Sequence, residues 1–195
     1  MTVSPFLPAR PSEMTRHQFA RRSLLPLRGD SLWQIEIGAV RTLTWLEDGT
    51  TITLGFWGPG NVIGKNLSQI NPYQMECITK VEAVAIPTHN LPQITDALIL
   101  NIKQGEEFMA IRGYKKVDVM LLRLLSWLAT RFGHEVEKGQ LIDLRLTHQD
   151  LADLLGTTRV TITRMFKKFE QQGLIHRFSQ HRIILQEEEL WHYEI

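Results

Sequence analysis

The stretch Thr147–Arg164 reads Thr-His-Gln-Asp-Leu-Ala-Asp-Leu-Leu-Gly-Thr-Thr-Arg-Val-Thr-Ile-Thr-Arg, and no other part of the chain restricts its fold so tightly. Thr147 and Asp150 have the spacing of a capping box. In that motif a hydroxyl accepts from the backbone N–H three residues on, while an acid reaches back to the first residue's own N–H; Asp stands here for the commoner Glu. Leu151, Leu154 and Leu155 then form one apolar face. Gly156 ends the helix, and Thr157 or Thr158 caps a second. A short helix, a tight Gly turn and a longer helix make a helix-turn-helix.

The second helix, 158–171, is divided by chemistry. Ile162, Met165, Phe166 and Phe169 recur at steps of three and four and are expected to face a core. Arg159, Val160, Thr161, Thr163, Arg164, Lys167 and Lys168 fall largely on the other side. The N-terminal half of such a helix suits the major groove of double-stranded DNA. Arg159, Val160 and Arg164 are the expected base readers, because a guanidinium fork fits the O6/N7 edge of guanine and a valine methyl suits that of thymine. Thr147, Thr157, Thr158, Thr161, Thr163, Lys167 and Arg182 are the expected phosphate contacts, with the helix N-terminus adding its own attraction.

Gly173–Phe178 and His181–Leu185, joined at Ser179-Gln180, read as a two-stranded wing. Between Arg145 and Arg182 stand seven Lys/Arg against three Asp/Glu, in a chain whose formal net charge is only +1. The positive charge is therefore concentrated in this unit, as DNA binding requires. Charge on one helix face is commonly plain solvation, and helix-turn-helix geometry also occurs in proteins that bind no DNA. The ordered run of strand, capped helix, Gly turn, basic helix and wing is what points to DNA.

Upstream the pattern changes period. Leu32–Ile37 alternates and stops at Gly38; Val40–Leu46 and Thr51–Trp57 flank Glu47-Asp48-Gly49-Thr50 as a hairpin; Gly58-Pro59-Gly60-Asn61 is a further turn. Met75–Ile86 closes the set before Pro87. Short strands at this spacing predict a small β-roll. From Leu91, with Pro92 in the first turn, Ile94, Leu98, Ile102, Gly105, Phe108, Met109 and Arg112 follow helical steps between polar flanks. So narrow a stripe suits pairing with a second copy of the same helix, the alternative being packing on the chain's own β-roll. Gly113–Lys116 reads as a hinge, Val117–Phe132 as a further helix with Gly133 as its stop, and Leu141–Leu146 as a short strand after a turn at Lys138-Gly139. The expected organisation is an arm over 1–18, a β-roll over 19–90, a dimerisation helix and hinge over 91–116, and a DNA-binding unit over 117–195. The acidic tail 186–195 has no assigned role.

These residues resemble the CRP/FNR family of transcription regulators. The resemblance runs over Leu32-Trp33-x-Ile35-x-x-Gly38-x-Val40-Arg41, Gly60-x-x-Ile63-Gly64, Arg131-Phe132-Gly133 and above all Leu146–Arg164. Thr158–Arg164 looks most like the cyanobacterial global nitrogen regulator branch. The resemblance implies an α+β protein with a cyclic-nucleotide-binding-like, cupin-like jelly roll, a dimerisation helix and a winged helix-turn-helix. It further implies a homodimer reading a palindrome of the GTA…TAC type, and RNA polymerase as a partner at promoters. The family's cyclic-nucleotide cassette needs a Glu and an Arg where this chain has Lys65 and no following Arg, so cAMP control is not expected. Asn71 stands where the nitrogen-regulator branch has an Arg for 2-oxoglutarate; Lys65 and Arg112 leave an anion site open as a minor alternative.

The one cysteine, Cys77, supplies neither a disulfide nor the thiolates of an iron–sulfur cluster, and it suits a reducing, cytoplasmic setting. No apolar run reaches the roughly 20 residues of a membrane span, and the proline-rich N-terminus lacks the apolar core of a secretory signal. The seven histidines contain no His-x-His and mostly lie outside the β-roll, so no metal site is expected. With no P-loop, nucleophile elbow or dinucleotide fingerprint, an enzyme is not expected either. The remaining alternative is an adaptor that keeps the fold and acts by protein contact. Effector, activator or repressor action, and target genes are not encoded legibly.

Overall fold

A computed structural model describes residues 16–88, 94–178 and 182–186. The N-terminal unit is a roll of two sheets. Strands β1 (Arg16–Phe19), β2 (Ser31–Ile37), β5 (Val62–Ile63) and β7 (Val81–Pro87) form one sheet in the order β1-β7-β2-β5; β3 (Val40–Trp45), β4 (Thr51–Trp57) and β6 (Gln74–Cys77) form the other in the order β4-β3-β6. Trp33, Ile35, Val40, Met75, Cys77, Val81 and Ala83 fill the space between them. Gly38 turns the chain from β2 to β3 at φ 93, where a Cβ would collide with the carbonyl of Lys80. The expected hairpin is present, closed by the Leu46 N–H to the Thr50 carbonyl at 2.9 Å.

Two expectations for this part of the fold change in detail, and one strand is added. β1 begins at Arg16, inside the segment expected as an arm, because Arg16–Phe19 pairs antiparallel with β7 and sets Phe19 edge-to-face against Trp33. The single run expected over Met75–Ile86 is two strands, β6 and β7, broken at residues 78–80. Val62–Ile63 adds a strand too short for periodicity to reveal. The rest of the expected arm, Pro92, the wing turn and the acidic tail beyond Gln186 lie outside the described residues.

Helix α1 (Thr95–Arg112) leads through residues 113–116 into α2 (Val117–Phe132). Gly133 does not stop α2 in a left-handed conformation; its φ of −94 is extended, and it starts β8 (Gly133–Val136) directly. The next strand, β9, covers Gly139–Ile142 and not the whole of Leu141–Leu146. Then come α3 (His148–Leu155), α4 (Arg159–Gln171), β10 (Ile175–Phe178) and β11 (Arg182–Leu185), the last two joining β9 and β8 in a sheet ordered β10-β11-β9-β8. Leu121, Leu124, Leu125 and Leu128 of α2 pack with Leu151, Leu154 and Leu155 of α3 and with Ile162, Phe166 and Phe169 of α4. Ala39, Phe56 and Ile78 of the β-roll join the same apolar cluster and α3 packs on β4, so α3 does not hang from the hinge alone.

Candidate nucleic-acid interface

Helix α3 starts as its sequence predicts. The Thr147 hydroxyl accepts from the Asp150 N–H at 3.1 Å, and the Asp150 carboxylate accepts from the Thr147 N–H at 2.8 Å. Gly156 ends α3 at φ 66, a left-handed position that glycine adopts without strain. The cap of α4 is Thr158, whose hydroxyl accepts from the Thr161 N–H at 3.1 Å; Thr157 sits in the turn.

Two capped starts fix where α4 points. Ile162, Phe166 and Phe169 are buried, and Met165 packs beside them. On the opposite face Arg159, Arg164 and Lys167 are exposed, and the Val160 side chain is 78% exposed. Among the described residues Arg159, Arg164 and Lys167 make no ion pair.

The other cations expected here are partnered. Lys168 pairs with Asp118 of α2 at 2.9 Å and so ties α4 to α2. Arg177 forks onto Glu170 and holds that carboxyl below its usual range, while the Lys168 ammonium does the same to Asp118. The Arg182 guanidinium lies 2.7 Å from Asp143, without the in-line geometry of a hydrogen bond. The hydroxyl of Thr163 donates to the Arg159 carbonyl at 2.9 Å and meets the ring of His148 at 2.8 Å. Thr158 and Thr161 share a hydrogen bond at 2.9 Å. A cleft of about 480 Å³ between α3, α4 and the wing is lined by Thr147, His148, Arg159, Arg177 and Arg182, of whose guanidinium groups that of Arg159 alone carries no ion pair among the described residues.

The stripe on α1 divides between two faces. Ile94 is buried against Leu32, Val62 and Ile86 of the chain's own roll, with Leu98 packed at the edge of that cluster. Phe108 is buried in the cluster built on α2, and Arg112 donates to the Thr53 carbonyl at 3.1 Å while stacking over Phe108. These residues belong to packing within one chain. Ile102 and Met109 are 63% and 70% exposed, and Gly105 has open space above it. Ile99, which the expected stripe lacked, is also exposed and lies in line with them. Sequence periodicity also gave no sign of Arg21 and Arg22, which reach from the roll to the start of α3. They sit in an irregular loop, where no spacing rule applies.

A model of the Crp-like helix-turn-helix domain matches residues 121–193. The chain is 40% identical over 192 residues to the regulatory protein CysR of Synechococcus elongatus, covering 97% of this chain and 92% of that one. To the global nitrogen regulator of the same organism it is 25% identical over 178 residues, 81% of this chain and 80% of that one. Several other regulators reach that value, so this branch is not singled out. Among solved structures, a CRP-family transcriptional regulator from Thermus thermophilus superposes with a TM-score of 0.75 at 22% identity over 88% of this chain and 92% of that one. The capped helix pair and its open basic face thus sit in a fold and a sequence that agree over nearly the whole length: the chain belongs to the CRP/FNR family of DNA-binding transcription regulators.

Proposed function

We propose that two copies of the chain pair along α1 and lay their α4 helices into successive major grooves of a palindromic promoter site. A regulator of this family is not an enzyme, and it works in the cytoplasm, where the DNA is. The observation that carries the reading is the set Arg159, Val160 and Arg164, open and unpaired on the first turns of a capped helix. Arg159 and Arg164 read guanines and Val160 a thymine methyl. Thr157, Thr158, Thr161 and Lys167 contact phosphates, and Arg182 joins them by exchanging Asp143 for the DNA backbone. Thr147 and Thr163 are further phosphate contacts, their hydroxyls also serving the α3 cap and the His148 ring as that of Thr158 serves the α4 cap. The likeness of Thr158–Arg164 to the nitrogen-regulator branch suggests a GTA…TAC-type site.

Pairing is supported by Ile99, Ile102 and Met109, apolar and exposed along one side of α1, with Gly105 leaving room for close approach. Control by cAMP is not part of the proposal. Lys65 stands where the family's glutamate would be, and its ammonium is taken up by the carbonyls of Ser68 and Ile70. The same contact disfavours 2-oxoglutarate, as does the engagement of Arg112 with Thr53. RNA polymerase is the further partner a promoter-bound regulator meets.

Fluorescence anisotropy with a labelled GTA…TAC palindrome and a scrambled duplex tests the reading. Arg159→Ala and Arg164→Ala each cost about 1–3 kcal/mol on the palindrome. Absence of DNA affinity even at low salt would remove this function and leave the adaptor.

A further inference from the structure

The DNA-binding unit is fastened to the β-roll by a cluster of guanidinium and carboxylate groups centred on α3. Arg22, in the loop after β1, has φ 68, the only positive φ of a non-glycine residue in the described chain. That conformation is strained for a residue with a Cβ. Its N–H is held by the Cys77 carbonyl at 2.7 Å, and its side chain crosses to α3. There Nη1 and Nη2 donate to the two carboxylate oxygens of Asp150 at 2.8 and 2.6 Å. Nη1 also reaches Glu76 of β6 at 3.0 Å. Arg41 of β3, 8% exposed, donates from Nε to the other oxygen of Glu76 at 2.8 Å and turns Nη1 to Asp153 of α3 at 3.1 Å. Arg21 completes the joint, its Nη2 donating to the carbonyl of Arg145 at 2.8 Å, just ahead of the cap.

Apolar contact alone would let α3 slide on the roll. Forked ion pairs do not, because each fixes a direction as well as a distance. Asp150 makes the joint stiffer still: the carboxylate that receives Arg22 also closes the capping box of α3, so the first turn of the helix-turn-helix and the loop of the roll share one group. The joint comes to the DNA-facing side only at the cap of α3, through Thr147; Arg159, Val160, Arg164 and Lys167 make no hydrogen bond or ion pair with it. It therefore holds α4 in an open orientation and does not mask it.

We propose that Arg22 and Arg41 are positioning residues for DNA recognition, clamping each helix-turn-helix to its roll so that both α4 helices of a dimer reach their half-sites together. The proposal rests on the paired, palindrome-reading form argued above. Once one half-site is bound, the second is filled at an effective concentration set by how rigidly the second reader is held. Loosening the clamp lowers that concentration without touching a base or a phosphate.

The test uses the full chain with the single variants Arg22→Ala and Arg41→Gln, and Arg41→Lys as a conservative control. Affinity is measured for a complete palindrome and for a duplex with one half-site. Each single variant is expected to lose about tenfold on the palindrome while keeping its half-site affinity and the wild-type slope of log K against log salt. The conservative control, which keeps a positive charge among Glu76, Asp150 and Asp153, is expected to recover most of the loss. Palindrome affinity that is unchanged or higher overturns the proposal, as does a parallel loss on both duplexes, which would mean a damaged reader. A second readout needs no DNA: spin labels at Glu47→Cys and Gln172→Cys report the distance between roll and α4. The distance distribution should broaden in the single variants, and an equally narrow distribution overturns the clamp. If the wild type fails to prefer the palindrome while the variants do broaden it, the palindrome reading fails and the clamp alone survives.

Discussion

Asp150→Asn is the substitution whose cost the structure defines best. Asp150 is 3% exposed and serves two structures at once. Its Oδ2 accepts from both the N–H and the hydroxyl of Thr147, each at 2.8 Å, and both oxygens accept from Arg22. Asparagine keeps the shape and one acceptor, but it presents an NH2 to a donor and leaves the guanidinium with Glu76 alone. Weakening the cap costs about 1 kcal/mol, and removing one partner of a buried ion pair costs about 3–5 kcal/mol. Arg22 is one-third exposed, so water recovers part of the second figure. The sum is about 3 kcal/mol, which for a chain of this length lowers Tm by about 6–12 °C. Urea and thermal unfolding at pH 7 measure it. The pH dependence checks the cause. Burial alone would raise the Asp150 carboxyl, but hydrogen bonds from Arg22 and Thr147 outweigh it and hold it below its usual value. The unfolded chain then binds the proton more readily, so the contribution is complete above the unfolded value of about 4 and is lost as pH falls through the folded one. The gap between wild type and Asp150→Asn should narrow below about pH 4. Asp118, Glu107 and Glu170 are also held low, but they act alike in both proteins and cancel in the difference. A loss under about 1 kcal/mol at pH 7, or a gap that persists in acid, would refute the reasoning.

Two further outcomes follow from other parts of the molecule. Cys77 has no exposed surface, and burial pushes its thiol up to about 11, so at pH 8 an aromatic disulfide reagent should react slowly with the native protein and at once in urea; rapid stoichiometric labelling of the folded chain would contradict the packing. Ile102→Asp places a charge in the exposed stripe of α1 and should convert a dimer to a monomer by light scattering with the circular dichroism unchanged, whereas a dimer that survives at micromolar concentration would put the pairing surface elsewhere.

How much of this was readable from the sequence depends on how local each feature is. The start of α3, the left-handed Gly156 and the buried face of α4 are set by residues within about four positions of one another, and they stand where spacing put them. The β3–β4 hairpin was legible for the same reason. On α1 the helical period was read correctly, but period alone cannot say whose surface a residue meets. Ile94 and Phe108 face their own chain while Ile102 and Met109 face outward, though all four fit one stripe. Charge was legible only as a sum. Which cations remain free was decided on α4 by Asp118, 50 residues away from Lys168, and on β10 by Glu170 opposite Arg177. The joint at Asp150 is the extreme case, because Arg22 lies 128 residues away in a loop with no period to read. The capping box was recognised from four residues; that its acid also carries the roll could be found only in three dimensions. A substitution at Asp150 in a regulator of this kind therefore acts on helix initiation and on the attachment of the reader together. The half-site measurement separates the two, since a lost cap weakens a single reader while a lost attachment weakens only the pair.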